Sequence, residues 1–232
     1  MLSVYGCLSV NLLGIITRMP RLTRYCPPNV PVHIIQRGNN RNVIFTCDRD
    51  RAAYAHWLRE GADKARVKVH GWVLMTNHVH LLLTPSTDHG VSRLMHLLGL
   101  QYARFFNREY HRSGTLFEGR FRASLVQDDL YFLTCLRYIE LNPVRAGMVS
   151  DPSGFRWSSY GCHVDGLSAA MWSPHATYLA LGDSPLARQS CYRTLIRQAL
   201  SSDDVAKVRD CVNSGRILGS ATFKAQIERL KG

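Results

Sequence analysis

Two histidines stand one residue apart in the stretch MTNHVHLLL (75–83), inside a run of valine and leucine. Side chains alternate between the two faces of a strand, so His78 and His80 would point the same way and Val79, Leu81 and Leu83 the other. If helices cover the apolar side, both imidazoles are expected on the opposite, open face. Two imidazoles at this spacing can share one divalent metal ion, but the motif is short, and the pair could equally be structural.

A tyrosine and an amide follow in LRYIELNPVRAG (136–147). Tyr138 and Asn142 lie one turn apart, on the same face of a helix. A phenol becomes a useful nucleophile when something stabilises the anion that it displaces, as a metal on a scissile phosphate does. Tyrosines are also common in cores, and Tyr131 and Tyr102 compete for the role of nucleophile.

The charge of the chain indicates a polyanionic partner. Among 232 residues, 29 are lysine or arginine and 17 are aspartate or glutamate, which gives a net charge of +12. Arginine, whose planar fork suits phosphate, supplies most of the positive charge. Nucleic acid is the first candidate and an anionic membrane surface the second.

The seven cysteines are scattered along the chain, and no CxxC pair occurs among them. They therefore indicate neither a zinc ribbon nor a disulfide framework, and they favour a reduced, cytoplasmic protein.

The first eighteen residues, MLSVYGCLSVNLLGIITR, are mildly apolar. They have neither the basic start nor the small-residue cleavage site of a signal peptide, and they are too short and interrupted to span a bilayer. The basic character begins at Met19. We therefore expect Met19 to be the natural start and residues 1–18 to be a non-native or disordered extension.

Hydrophobic periodicity predicts an alternation of strands and helices. In chain order we expect a strand in 30–40, a helix through RAAYAHWLREGADKA, strands at about 67–75 and 77–84, a helix over 91–110, a strand within 114–126 and a helix through LYFLTCLRYIEL. Pro143 ends the last helix. This order predicts an α+β domain over residues 19–150, with an antiparallel sheet and helices on one face, and a mainly helical C-terminal tail over 151–232.

Four ordered blocks give the chain a family resemblance. His78-Val79-His80 matches the histidine–hydrophobic–histidine signature of the single-tyrosine HUH transposases, and the chain most resembles the REP-associated tyrosine transposases of that superfamily. IIQRGNNR (34–41), GTLFEGRFRASLV and RYIELNPVRAGMV are similar to family blocks in order and spacing. The resemblance covers about residues 20–150, and GRILGSATFKAQI in the tail is also similar. It implies the HUH endonuclease fold, a ferredoxin-like or RRM-like sheet.

The resemblance implies roles for four residues. His78 and His80 would hold Mg²⁺ or Mn²⁺, with Asn142 completing the site, and Tyr138 would attack single-stranded DNA. The products would be a 5′-phosphotyrosine on the protein and a free 3′-hydroxyl, which can reverse the step and join strands without ATP. Positioning and charge stabilisation dominate phosphoryl transfer of this kind.

Arginines and a polar turn are the candidates for contact with DNA, because phosphate recognition favours arginine and unpaired bases can stack on neighbouring aromatic rings. The predicted DNA-binding residues are Arg37, Asn39, Arg41, Arg104, Arg108, Arg112, Arg120, Arg122 and Arg145. The expected partner is single-stranded or hairpin DNA with palindromic repeats, and no membrane. The protein would be a monomer or a homodimer, with Tyr138 serving its own subunit or the partner.

Three other functions fit parts of the same pattern. One is a DNA or RNA hairpin-binding protein without chemistry, and another is a metal-dependent nuclease that uses water in place of Tyr138. The third is a replication or relaxase initiator of the HUH superfamily, although those proteins usually present the histidine pair differently along the chain.

Overall fold

The computed structural model describes residues 24–230, and its centre is a four-stranded antiparallel sheet. The strands are β1 (Val32–Arg37), β2 (Val67–Leu74), β3 (His78–Pro85) and β4 (Arg122–Leu125). Their order across the sheet is β2-β3-β1-β4. The two central strands are therefore β3, which carries the histidine pair, and β1.

Among the described residues, three α-helices of 13 to 20 residues come before residue 142, and α-helices of 4 to 13 residues follow from there. They are α1 (Asp48–Ala65), α2 (Gly90–Glu109), α3 (Asp128–Glu140), α4 (Asn142–Arg145), α5 (Tyr160–Val164), α6 (Ala176–Leu179), α7 (Pro185–Arg197), α8 (Ser202–Ser214) and α9 (Ala221–Leu230). The predicted succession of strands and helices through α3 is confirmed, and so is the α+β class.

Helices α1 and α2 pack together on one face of the sheet, where the side chains form a continuous apolar core. Val79 and Leu81 of β3 are fully buried there against Leu58 of α1 and Leu98 of α2. Helix α1 begins with a capping arrangement between Cys47 and Asp50, which satisfies its first amide groups. Full burial of each such leucine contributes about 2 kcal/mol to folding.

Helix α3 and the C-terminal helices cover the other face. Leu82 of β3 lies in a second core with Leu136 of α3, Tyr192 of α7 and Val208 of α8. Gly71 of β2 allows the close approach of α3, since a Cβ atom there would lie 2.4 Å from Leu136 Cδ1. The structure thus adds helices on a second face to the single helical face that the sequence predicts.

The tail is joined to the sheet by backbone contacts as well as by packing. Ser158 forms a bridge with Val73 of β2, and Leu218 forms one with Val126, just after β4. The division of the chain at residue 150 therefore stays a prediction about sequence units, and the expected extension at residues 1–18 lies outside the described residues.

Between residues 24 and 230, no helix has the length and apolar character needed to cross a membrane.

Candidate active site

The histidine pair lies at the start of β3, in register with the end of β1. His80 is opposite Ile35 and His78 is opposite Arg37. The turn before β3 is fixed by backbone hydrogen bonds in which Gly38 donates to the Asn77 carbonyl and Ile44 donates to the Thr76 carbonyl. The sheet therefore holds both imidazoles on a rigid scaffold and on the same side, as strand alternation requires.

The expectation that both imidazoles lie on an open face is wrong. His80 is only 2% exposed, because α3 packs over this side of the sheet. His78, the first residue of β3, is half-buried. Access from solvent is therefore greatest at the His78 end of the pair.

A third histidine, which sequence reasoning missed, lies beside the pair. His33 of β1 is buried, and its Nε2 atom is 2.8 Å from His80 Nδ1. The two rings are stacked with centroids 5.1 Å apart. The sequence signal was a histidine in alternation with Ile35 and Arg37 of β1, but only the register of β1 against β3 shows that it meets His80.

Tyr138 of α3 lies on the same side of the sheet. Its ring centroid is 5.8 Å from that of His80 and 5.9 Å from that of His33, and the side chain is 4% exposed. The Arg145 guanidinium lies over the phenol ring, 4.2 Å from its centroid. Arg145 and Asn142 also donate hydrogen bonds to the Tyr138 carbonyl, so α4 is tied to the end of α3.

Burial keeps the three imidazoles neutral. It lowers the pKa of His33 to about 3 and that of His78 to about 4, with Arg37 adding to the effect on His78. The pKa of His80 is lowered well below its usual value, first by burial and then by its histidine and arginine neighbours. Metal ligation needs neutral imidazole, so this environment provides the required protonation state.

Each ring of the pair has one nitrogen in contact with the protein and one outside those contacts. His78 Nδ1 lies 2.7 Å from Asn77 Oδ1, and His80 Nδ1 faces His33, so each ring uses Nδ1 within the protein and leaves Nε2 outside these contacts. No three His, Cys, Asp or Glu residues in the described range are grouped so as to hold a metal. Asn142, the predicted third ligand, begins α4, and its side-chain amide donates to the Tyr138 carbonyl.

The predicted DNA contacts divide between the two sides of the sheet. Arg37 and Arg145 both act electrostatically on His80, and Arg122 pairs across the sheet with Ile35, in the same row as His80. Asn39 and Arg41 form the turn after β1, where Asn77 donates to the Arg41 carbonyl. Arg37 and Arg145 are therefore near the histidine pair, whereas the Arg122 guanidinium turns to α8 and donates to the Asn213 carbonyl.

The remaining arginines are not brought to the histidine pair. Arg104 and Arg108 belong to α2, on the opposite side of the sheet, and Arg112 follows that helix with its guanidinium 5.6 Å from the Phe106 ring centroid. Arg120 lines a groove of about 730 Å³ beside α2. Any DNA that contacts them extends well beyond the site at Tyr138.

The competing tyrosines are placed elsewhere. Tyr102 is buried between α1 and α2, where its hydroxyl donates to the Ile44 carbonyl and burial raises its pKa far above the usual value. Tyr131 faces α8, and Lys207 Nζ donates to its hydroxyl at 2.6 Å. Of the three candidates, Tyr138 is the one in ring contact with the histidines.

A buried carboxylate lies two residues after Tyr138. Glu140 Oε1 accepts hydrogen bonds from Ser159 Oγ at 2.6 Å and His163 Nδ1 at 2.8 Å, and Oε2 accepts one from the Tyr192 hydroxyl at 2.8 Å. All four side chains are buried, and three of them come from the tail. The tail therefore fixes the end of the helix that carries Tyr138. Sequence reasoning missed Glu140 because its partners lie 19 to 52 residues away.

A comparison with models of protein families identifies the family of this chain. Residues 27–142, half of the chain, match the family model described as Transposase IS200 like. The chain belongs to the IS200-like transposase family. The matched range contains the histidine pair, Tyr138 and Asn142.

A solved structure shows the fold of this transposase. A REP-associated tyrosine transposase bound to a REP hairpin is similar over 68% of the present chain and 93% of its own, with a TM-score of 0.52 and 19% identity. A candidate transposase from Deinococcus radiodurans R1 covers 51% of the transposase and 84% of its own chain, with a TM-score of 0.36 and 18% identity. No curated protein is significantly similar in sequence.

Proposed function

We propose that this transposase cleaves and rejoins single-stranded or hairpin DNA through a covalent 5′-phosphotyrosine on Tyr138. His78 and His80 would hold Mg²⁺ or Mn²⁺ through their Nε2 atoms, with Asn142 as the third ligand. The observation that carries the proposal is the contact between the Tyr138 and His80 rings, whose centroids are 5.8 Å apart. This contact supports a role for the phenol beside an imidazole pair that leaves both Nε2 atoms outside its protein contacts.

In the reaction, the Tyr138 oxygen attacks phosphorus and forms a new P–O bond, while the bond to the 3′ oxygen breaks. The phenol loses its proton, and the leaving oxygen gains one to become the free 3′-hydroxyl. A bound divalent ion would polarise the scissile phosphate and stabilise its charge. The reverse reaction, with the same or another 3′-hydroxyl, joins strands because the phosphotyrosine conserves the energy of the broken bond.

Arginines supply the positive charge that phosphate needs at this site. Arg145 lies over the Tyr138 ring and is exposed to solvent, and Arg37 stands opposite His78. The DNA strand would enter the site beside His78, which is half-buried, since His80 and Tyr138 lie deeper. Fixed cations there act before and during phosphorus attack and need no reorganisation.

The DNA partner is proposed from the family and the fold. The similar structure with a TM-score of 0.52 is described as bound to a REP hairpin, which supports a palindromic hairpin as the substrate and the REP-associated group as the subfamily. Arg122, Asn39 and Arg41 extend the basic surface from the histidine pair towards such a hairpin. We place the reaction in the cytoplasm, with the protein as a monomer or homodimer.

The test is a denaturing gel of purified protein with labelled single-stranded hairpin DNA and Mn²⁺. We expect a metal-dependent covalent adduct in wild type, and its loss by at least about a thousand-fold in Tyr138→Phe, because the variant lacks the nucleophilic oxygen. His78→Ala, which removes a ligand at the exposed end of the pair, should abolish the adduct as well. Tyr131→Phe is the matched control on the same helix and should keep it.

Two outcomes would contradict the proposal. Cleavage without an adduct that persists in Tyr138→Phe would assign the site to a nuclease that uses water. Tight hairpin binding by wild type with neither cleavage nor adduct would leave a binding protein without chemistry.

A further inference from the structure

We propose that His33 is a positioning residue that orients His80 for the metal and selects the tautomer in which His80 can bind it. The inference rests on the proposed function, since it concerns the same metal site. It adds a residue that lies outside the histidine–hydrophobic–histidine motif and on a different strand.

The contact between the two rings is direct and buried. His33 Nε2 lies 2.8 Å from His80 Nδ1, and the two side chains are 1% and 2% exposed. Both strands are central in the sheet, so the backbone holds each ring in place. His80 therefore has a fixed hydrogen-bond partner on the nitrogen that faces away from the proposed metal position.

That partner determines which nitrogen of His80 is free. A metal on Nε2 requires the proton of His80 to be on Nδ1, and Nδ1–H then donates to His33 Nε2. A cation on Nε2 withdraws charge from the ring and makes Nδ1–H a stronger donor, so the bond strengthens when the metal binds. Partners of this kind fix the ring and raise the basicity of the ligand.

The surroundings of His33 argue against a purely structural role. Its Nδ1 atom is buried and has no hydrogen-bond partner within the described part of the chain. Buried His70, by contrast, uses both ring nitrogens, with the Ser173 carbonyl and Thr84 Oγ1 as partners. A buried imidazole with one partner is costly to desolvate, and an aromatic hydrocarbon would fill the same space without that cost.

His33 also contacts both His80 and Tyr138, which are in ring contact with each other. Its ring stacks on His80 at 5.1 Å and meets the Tyr138 ring edge at 5.9 Å between centroids. His33 therefore packs against both the proposed ligand and the proposed nucleophile. These contacts give a reason for a polar ring, held by one hydrogen bond, at the second position of β1.

The test measures metal affinity of the full chain without DNA. Mn²⁺ binding is followed by titration calorimetry in wild type, His33→Phe, His33→Gln and His78→Ala. We expect His33→Phe, which keeps the ring and loses the acceptor, to bind Mn²⁺ about 10- to 100-fold more weakly. His33→Gln should recover most of the affinity, because its Oε1 can accept from His80 Nδ1–H at a similar reach.

A second measurement does not depend on the stability of the variants. In wild type loaded with Mg²⁺, long-range ¹H–¹⁵N correlation spectra report the tautomer of each histidine. We expect His80 in the Nδ1–H form and His33 with an unprotonated Nε2. A His80 ring protonated at Nε2 in the loaded protein would overturn the proposal.

The outcomes separate this inference from the function on which it rests. If wild type binds Mn²⁺ and His78→Ala does not, while His33→Phe equals wild type, the metal site stands and the role of His33 is refuted. If wild type and His78→Ala bind Mn²⁺ equally, the proposed metal site itself fails, and the role of His33 fails with it. Loss in His33→Phe with recovery in His33→Gln supports both.

Discussion

The two faces of the sheet are built from opposite kinds of side chain. Under α1 and α2 the core consists mainly of aliphatic and aromatic residues such as Leu58 and Leu81, and the buried carboxylate on this side, Asp50, caps the start of α1. Under α3 and the tail, the same sheet buries His33, His80 and Glu140 among apolar neighbours. Burial of polar groups costs free energy unless they find partners. One face therefore stabilises the fold, and the other uses part of that stability to hold chemical groups in place.

We expect the largest loss of stability from a substitution in the core under α1 and α2. Leu58→Ala removes a fully buried side chain and should lower the free energy of unfolding by about 2–5 kcal/mol, while the folded fraction still forms the Tyr138 adduct. Urea denaturation measures the first quantity and the denaturing gel the second. Leu130→Ala, at a site that is 61% exposed on α3, is the control and should change stability by less than about 0.5 kcal/mol. Equal losses in the two variants would contradict the comparison.

In the core under α3 and the tail, removal of a buried charge should lower stability even when the side-chain volume is kept. Glu140→Gln places an amide NH₂ against groups that now donate to the carboxylate, and we expect a loss of about 1–3 kcal/mol in the free energy of unfolding. Glu60→Gln, which removes an exposed ion pair with Lys64 on α1, is the matched control and should cost no more than about 0.5 kcal/mol. If Glu140→Gln is as mild as the control, the carboxylate does not join the tail to α3.

The smallest effect concerns acid sensitivity of the buried histidines. Burial lowers the pKa of His70 from 6.5 to about 3, against the opposing effect of its bond to Ser173. Below pH 6.5 the unfolded chain gains a proton there that the folded chain does not, so stability falls as pH falls towards 3. His70 alone should account for roughly 1–2 kcal/mol between pH 6.5 and 5.

The measurement is urea unfolding at several pH values in wild type and His70→Gln. The variant should show a shallower dependence on pH over this range, whatever its absolute stability. An unchanged slope would mean that His70 does not contribute to the acid sensitivity.

The sequence was sufficient for features that depend on local periodicity. Alternation in MTNHVHLLL places His78 and His80 on one side of β3, and helical spacing predicts α3, although this helix ends at Glu140 and Pro143 lies in the short helix α4 that follows. These features depend on near neighbours along the chain, so a short window contains the information.

Features that depend on distant contacts were not accessible in this way. The meeting of His33 with His80 depends on the register of two strands 47 residues apart in the chain. The covering of the histidine face depends on tail residues such as Tyr192, which lie on helices that carry no motif. Periodicity indicates that a face is apolar, but it does not say which segment packs against it.

The Glu140 cluster has a consequence for assembly. An exchange of α3 between two copies of the chain would have to withdraw Glu140 from Ser159, His163 and Tyr192 of its own tail, unless the tail moved with the helix. Exchange of α3 without the tail would leave the Glu140 carboxylate buried and without its hydrogen-bond donors, at a cost of several kcal/mol. We therefore expect each copy to deliver its own phenol to its own imidazoles. Any dimer would then be a pairing of two self-sufficient catalytic units.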